Sequence, residues 1–226
     1  MRPSFLQGLL LCVAFKAAWA EGLTACADGR LSVAGTGATV PMVCDGGSRA
    51  LAFLSGIGLA LPDALQVEVV DRLSPLYGAG QLGSFDANAG RIRVLDYDAC
   101  RALDHEGLLF GQPISPDLYR SIVAHEVAHA VVTFNFRAAG PHLVPQEYLA
   151  YTTQLVVMSA ALRRRILHDT GVSAFASEHE ISAMRYLLDP QGFGIAAYRH
   201  FAALPDSHTF VQRLLKDEVR YPRLYE

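Results

Sequence analysis

A chain of 226 residues, 51% of them hydrophobic and 18% charged, is long enough to bury a substantial core and too apolar to stay unfolded. The formal net charge is −3 and there is no long basic run, which argues against nucleic acid as the main partner. No internal repeat or low-complexity tract divides the chain.

The first element is a leader. Arg2 gives a short positive start, "FLQGLLLCVAF" is an apolar run, and Ala18, Trp19 and Ala20 form a small-x-small site. This predicts a secretory signal peptide cut after Ala20, a single domain over 21–226, and export to a periplasm or the cell exterior. The apolar run is too short to span a bilayer, so no stable membrane span is expected after cleavage. An uncleaved anchor and a lipid on Cys12 are the alternatives; Leu11 stands where lipidation wants a small residue. Without Arg2 and Lys16 the 19 basic residues fall to 17 against 22 acidic ones, a net of −5.

Cys26, Cys44 and Cys100 remain, and export favours a disulfide. Cys26 and Cys44 bracket a Gly-rich, hairpin-like stretch and are the preferred pair; Cys44–Cys100 competes. No C-x-x-C spacing supports a thiolate zinc site. "RLSVAG" (30–35) and "ATVPMVC" (38–44) are strand-like, and Ser48 is a cap for a short helix to about Ile57. "LQVEVVDRL" (65–73) alternates as a half-buried strand does. "GQLGSFD" (80–86) and "RIRVLDY" (91–97) predict two strands joined by the turn "DANAG".

The second half is helical. Ser115, Pro116 and Asp117 supply a capping hydroxyl, a first-position proline and an acid at the positive helix end, starting a helix to about Phe134. After a loop at 137–144, Pro145 is expected to open a helix reaching about His168, with further helices at 177–188, 193–203 and 207–219 and a turn at "DPQGFG" (189–194). "LRRRIL" (162–167) reads as a solvated helix end. Strands first and helices after predict an α+β chain.

Within the helix after Ser115 lies "SIVAHEVAHAVV" (121–132). Positions i and i+4 share a helix face, so His125 and His129 can aim two imidazoles at one point, as a tetrahedral zinc requires of two ligands. Glu126 is rotated away by one residue, where it can reach a water on the metal but not the metal itself. The competing reading is a structural histidine pair. Ile122, Val123, Val127, Ala128, Ala130 and Val131 favour the metal: a solvated helix with surface histidines would carry charges at those positions.

The "IVAHEVAHAV" helix and the following "PQEYLAY" helix resemble the gluzincin zinc metallopeptidases. The resemblance implies that a glutamate of the second helix completes the ligand set, and Glu147, 18 residues after His129 and in the first turn after Pro145, fills that place. His142 is the rival third ligand; the metzincin run it would need is absent, with Thr133 and Phe136 at the later Gly and His positions. Where the best-known gluzincins carry an acid four residues after the ligand glutamate, this chain has Tyr151, so another acceptor, such as Asp96 or Asp98, would have to orient a histidine ring. The same resemblance implies a zincin-like, minigluzincin-sized fold. In it a small twisted sheet with a substrate-binding edge strand precedes the active-site helix, the ligand helix and a helical tail.

The implied activity is hydrolysis of peptide or protein substrates. One Zn²⁺ per chain would be held by His125, His129 and Glu147, with Glu126 as general base for a water at the open position. Tyr148, Tyr151, His142 and His208 are candidates to stabilise the oxyanion. The alternative function is a non-catalytic exported domain that uses zinc for stability or partner binding. The intact Glu126 favours the enzyme, since a purely structural site needs no base.

Overall fold

The computed structural model describes residues 22–74, 81–103, 109–136 and 143–219; the predicted leader and His142 lie outside them. Elements follow in the order β1 (Leu23–Ala25), β2 (Leu31–Ala34), α1 (Thr39–Gly56), β3 (Leu65–Val70), β4 (Gly83–Asp86), β5 (Arg91–Leu95), α2 (Tyr97–Leu103), α3 (Pro116–Asn135), α4 (Leu143–Val157), α5 (Ala160–Thr170), a 3₁₀ turn (Glu178–Glu180), α6 (Ala183–Leu188), α7 (Pro190–Ala203) and α8 (Ser207–Leu215). The chain is α+β. Its small mixed sheet has the order β1-β2-β3-β5-β4, parallel at β2/β3 and β3/β5 and antiparallel at both ends. β4 is therefore an edge strand, with Gly83 opposite Val94 and Phe85 opposite Ile92 of β5.

The core lies between the sheet and the helices α1, α3 and α4. Val33, Val67, Ile92 and Val94 supply it from the strands, Val43, Ala50 and Leu54 from α1, and Val123, Val127, Val131, Leu149 and Leu155 from α3 and α4. Two glycines set how closely α1 can approach. A Cβ on Gly46 would stand 2.4 Å from the Arg120 carbonyl oxygen of α3, and one on Gly47 would stand 2.4 Å from Leu31 Cδ2 of β2.

Several boundaries differ from those expected. Residues 39–44 open α1 and are not a strand: Val40, Val43 and Ala50 are buried on it, and packing overrides the β-branched propensity of "TVPMV". Pro41 is tolerated because it falls in the first turn, where no backbone N–H is needed. Ser48, inside α1, donates its hydroxyl to Asp28 instead of capping. Asp28 also accepts from the backbone N–H groups of Arg30 and Leu31, both at 2.8 Å. The disulfide joins Cys26 to Cys44, with Cα atoms 5.4 Å apart, and ties the end of β1 to α1; Cys100 is free and buried.

The helix expected to run from Pro145 to His168 is two helices. α4 begins at Leu143 and ends at Val157, and Ser159 starts α5 by accepting from Leu162 N at 3.2 Å. Arg163 completes the break: its guanidinium donates to the carbonyls of Leu155, Val156 and Met158 at 3.0–3.2 Å. It satisfies carbonyls that a helix end leaves without partners. Of the three consecutive arginines, only Arg164 and Arg165 are exposed. "DPQGFG" is no turn but the start of α7, with Asp189 capping Gly192 N at 2.9 Å and Pro190 in the first turn. Among the described residues no helix is long and apolar enough to cross a membrane.

Candidate metal centre

Ser115 accepts from Leu118 N at 3.2 Å and Pro116 and Asp117 follow, so α3 starts where its capping residues specify and carries His125 and His129 in its middle turns. One turn apart, the two rings meet edge to face with centroids 4.7 Å apart, and their Nε2 atoms approach to 3.0 Å. α4 packs against α3 and brings Glu147 to the same point. Its Oε2 is 3.7 Å from His125 Nε2, and its Oε1 is 3.7 Å from His129 Nε2. Ligand atoms of all three residues lie within 4.8 Å of one another.

The outward nitrogens decide what the inward ones can do. His125 Nδ1 is 3.1 Å from Gln154 Oε1 and His129 Nδ1 is 3.0 Å from Gln146 Oε1. An amide oxygen only accepts, so each Nδ1 carries the proton and each Nε2 presents a lone pair. Two lone pairs facing each other at 3.0 Å beside a carboxylate repel unless a cation or proton lies between them. Burial, and then the neighbouring His129, hold His125 well below the usual imidazole pKa, with Gln154 opposing, so a proton is a poor occupant. Two imidazole nitrogens and one carboxylate fit a divalent metal ion.

Asp96 and Asp98 do not orient either ring. Asp96, just after β5, accepts from Thr39 Oγ1 at 2.6 Å, and Asp98 is exposed with Arg101 3.6 Å away. The acceptors are glutamines of α4, the helix that carries Glu147. Glu147, Tyr151 and Gln154 follow at helical spacings of four and three, so one face of α4 supplies a ligand, a ring and an acceptor. The Tyr151 ring stands edge-on to His125, with centroids 4.7 Å apart. Phe110 in turn packs on Tyr151, from a turn where it takes φ 56° and its N–H donates to Gln191 Oε1.

Glu126 is 8% exposed and its side chain lies against Gly83 of the edge strand β4. A Cβ on Gly83 of β4 would lie 2.6 Å from its Cγ, so glycine there makes the room the carboxyl occupies. Burial, followed by the charge of Glu147, pushes the Glu126 carboxyl up to about 8. Burial also raises Glu147, opposed by His129 and by a hydrogen bond from the Tyr186 hydroxyl.

Other candidates fall elsewhere. The Tyr148 hydroxyl is 2.7 Å from His200 Nδ1, in an aromatic cluster with Phe210. His208 of α8 sits against Gly58, beyond the end of α1. Neither lines the cleft, whereas Tyr151 does. Tyr186 of α6, Gln146 and Gln154 join the site without having been singled out in the sequence. The helical register of 147, 151 and 154 is a signal for Gln154; nothing local marks Tyr186.

The cleft over this centre has a volume of about 1270 Å³. β4 forms one wall, the turn around Phe110 and Gln112 another, and α6 with the start of α7 closes the far side. Glu126 and all three ligands line it. No curated protein and no solved structure matches the chain. A family model described as a family of unknown function (DUF6639) matches residues 31–224, through the sheet, both site helices and the helical tail, and the chain belongs to that family.

Proposed function

We propose that this protein is an exported zinc-dependent peptidase of zincin-like architecture, with His125, His129 and Glu147 as metal ligands and Glu126 as general base. The observation that carries the reading is the convergence of two Nε2 lone pairs and a carboxylate beside an acid that belongs to neither ring nor ligand set, all within one open cleft. The donor set suits zinc, which takes nitrogen and oxygen ligands and accepts a three-ligand protein site. When bound, zinc supplies Lewis acidity, polarising a carbonyl and bringing a water's pKa towards about 7.

The chain's own residues supply the rest. Glu126 takes the proton of the attacking water and passes it to the leaving amine. Burial raises its affinity for a proton in the metal-free chain, and with a cation on the three ligands that affinity would fall back, leaving a carboxylate free to accept. Tyr186 lines the same cleft; its hydroxyl donates to Glu147 in the metal-free chain and would turn to the developing oxyanion once Glu147 holds the metal. β4 is an edge strand with Glu126 packed on its Gly83, and an extended peptide would pair with its free edge. The Cys26–Cys44 disulfide supports export.

The test is zinc content of purified protein beside hydrolysis of casein and a broad peptide library by wild type and Glu126→Gln. One zinc in both proteins, with turnover lower by about 10²–10⁴-fold in the variant, is expected. Equal cleavage by both removes Glu126 from the mechanism. A zinc-loaded wild type that cleaves nothing in the library supports the alternative, a zinc-binding domain without catalysis.

A further inference from the structure

We propose that Gln146 and Gln154 are positioning residues that orient both histidines while keeping the metal centre short of negative charge. The inference rests on the metal reading above and concerns how strongly, and with what electronic character, the ion is held.

Both histidines need an acceptor at Nδ1 for Nε2 to present its lone pair inward. A carboxylate in that place draws the imidazole proton towards itself and makes the ring a more basic ligand. Here both acceptors are neutral amides, at 3.1 Å for Gln154 and 3.0 Å for Gln146. Both are buried, at 2% and 8% exposure, so water does not take over the role. They stand on one helix, either side of Glu147, and the three are delivered to α3 as a unit.

Gln146 is fixed further: its Nε2 donates to Thr133 Oγ1 at 2.7 Å, and Thr133 lies one turn beyond His129 on α3. That bond keeps the amide oxygen towards the ring. With Glu147 the only ionised ligand, a dication here retains net positive charge. The arrangement favours a strong electrophile over the tightest possible grip on the ion.

The test is zinc affinity of the full chain, by competition with a chromophoric chelator, together with the visible spectrum of the Co²⁺-substituted protein. Gln146→Met and Gln154→Met remove the acceptor, whereas Gln146→Glu and Gln154→Glu keep its shape and add charge. Folding of each is checked by circular dichroism. We expect the Met variants to hold zinc about 10–100-fold more weakly. The Glu variants should hold it more tightly than wild type and shift the cobalt bands, with peptide turnover reduced.

Folded Met variants with wild-type affinity would overturn the orienting role. Folded Glu variants that bind zinc no more tightly than wild type would overturn the charge argument, and they decide the matter even if the Met variants do not fold. A wild-type protein that binds no zinc removes the metal reading and this inference together. Zinc binding unaffected by any of the four substitutions removes this inference alone.

Discussion

In the proposed mechanism Glu126 and Tyr186 differ from the ligands in that each acts through a proton, and each yields a measurement. In the metal-free protein Glu126 has a carboxyl raised to about 8 from 4.5, so between those values the folded state holds a proton that the unfolded state has lost. Unfolding free energy then falls as pH rises through that window and levels off above it. Urea unfolding of chelator-treated wild type and Glu126→Gln, compared at each pH, should show a difference that grows from pH 5 to 8 and reaches a few kcal/mol. A flat difference would mean that Glu126 is not buried as described. For Tyr186→Phe, zinc content should be unchanged and kcat should fall by about 10²-fold with little change in KM. A change confined to KM would place the hydroxyl on the substrate and not on the oxyanion.

At the scale of elements, the site depends on how α1, α3 and α4 are held together. Gly46 is where α1 touches the backbone of α3, at Arg120, five residues before His125. Gly46→Ala puts a methyl group 2.4 Å from a carbonyl oxygen that cannot rotate away, so the helices must separate. We expect a loss of about 1–3 kcal/mol by chemical denaturation, and weaker zinc binding because α3 shifts relative to α4. The α4–α5 break serves the same end: Arg163 and Ser159 end one helix and start the next, so α4 stops once it has presented Gln146, Glu147, Tyr151 and Gln154. The Pro145-to-His168 helix expected from the sequence missed this, because its apolar residues continue past Val157 and the signal to stop is a side chain reaching back to carbonyls.

Across the whole molecule, the disulfide secures the first part of the sheet to α1, the helix that packs on α3. It closes a sequence separation of 18 residues, and replacing both cysteines by serine should cost about 2–4 kcal/mol, read as a lower midpoint in urea. Zinc should stabilise the protein as well, since the ligands come from two helices and converge only in the folded chain.

The amino-acid sequence by itself determined what depends on local spacing. Ser115-Pro116-Asp117 fixed the start of α3, the four-residue interval put His125 and His129 on one face, and the order of strand and helix patterns gave an α+β chain. It also favoured Cys26–Cys44, a short-range pairing. Tertiary structure alone decided what depends on contacts between distant segments. It turned "TVPMVC" into helix by burying Val40 and Val43, drew Tyr186 to Glu147 across 39 residues, and sent Tyr148 to His200 and away from the cleft. It also chose glutamines over aspartates behind the histidines. A helix repeats every few residues and can be read from a short window, whereas a hydrogen bond between helices depends on their relative placement, which the packing of the whole core sets.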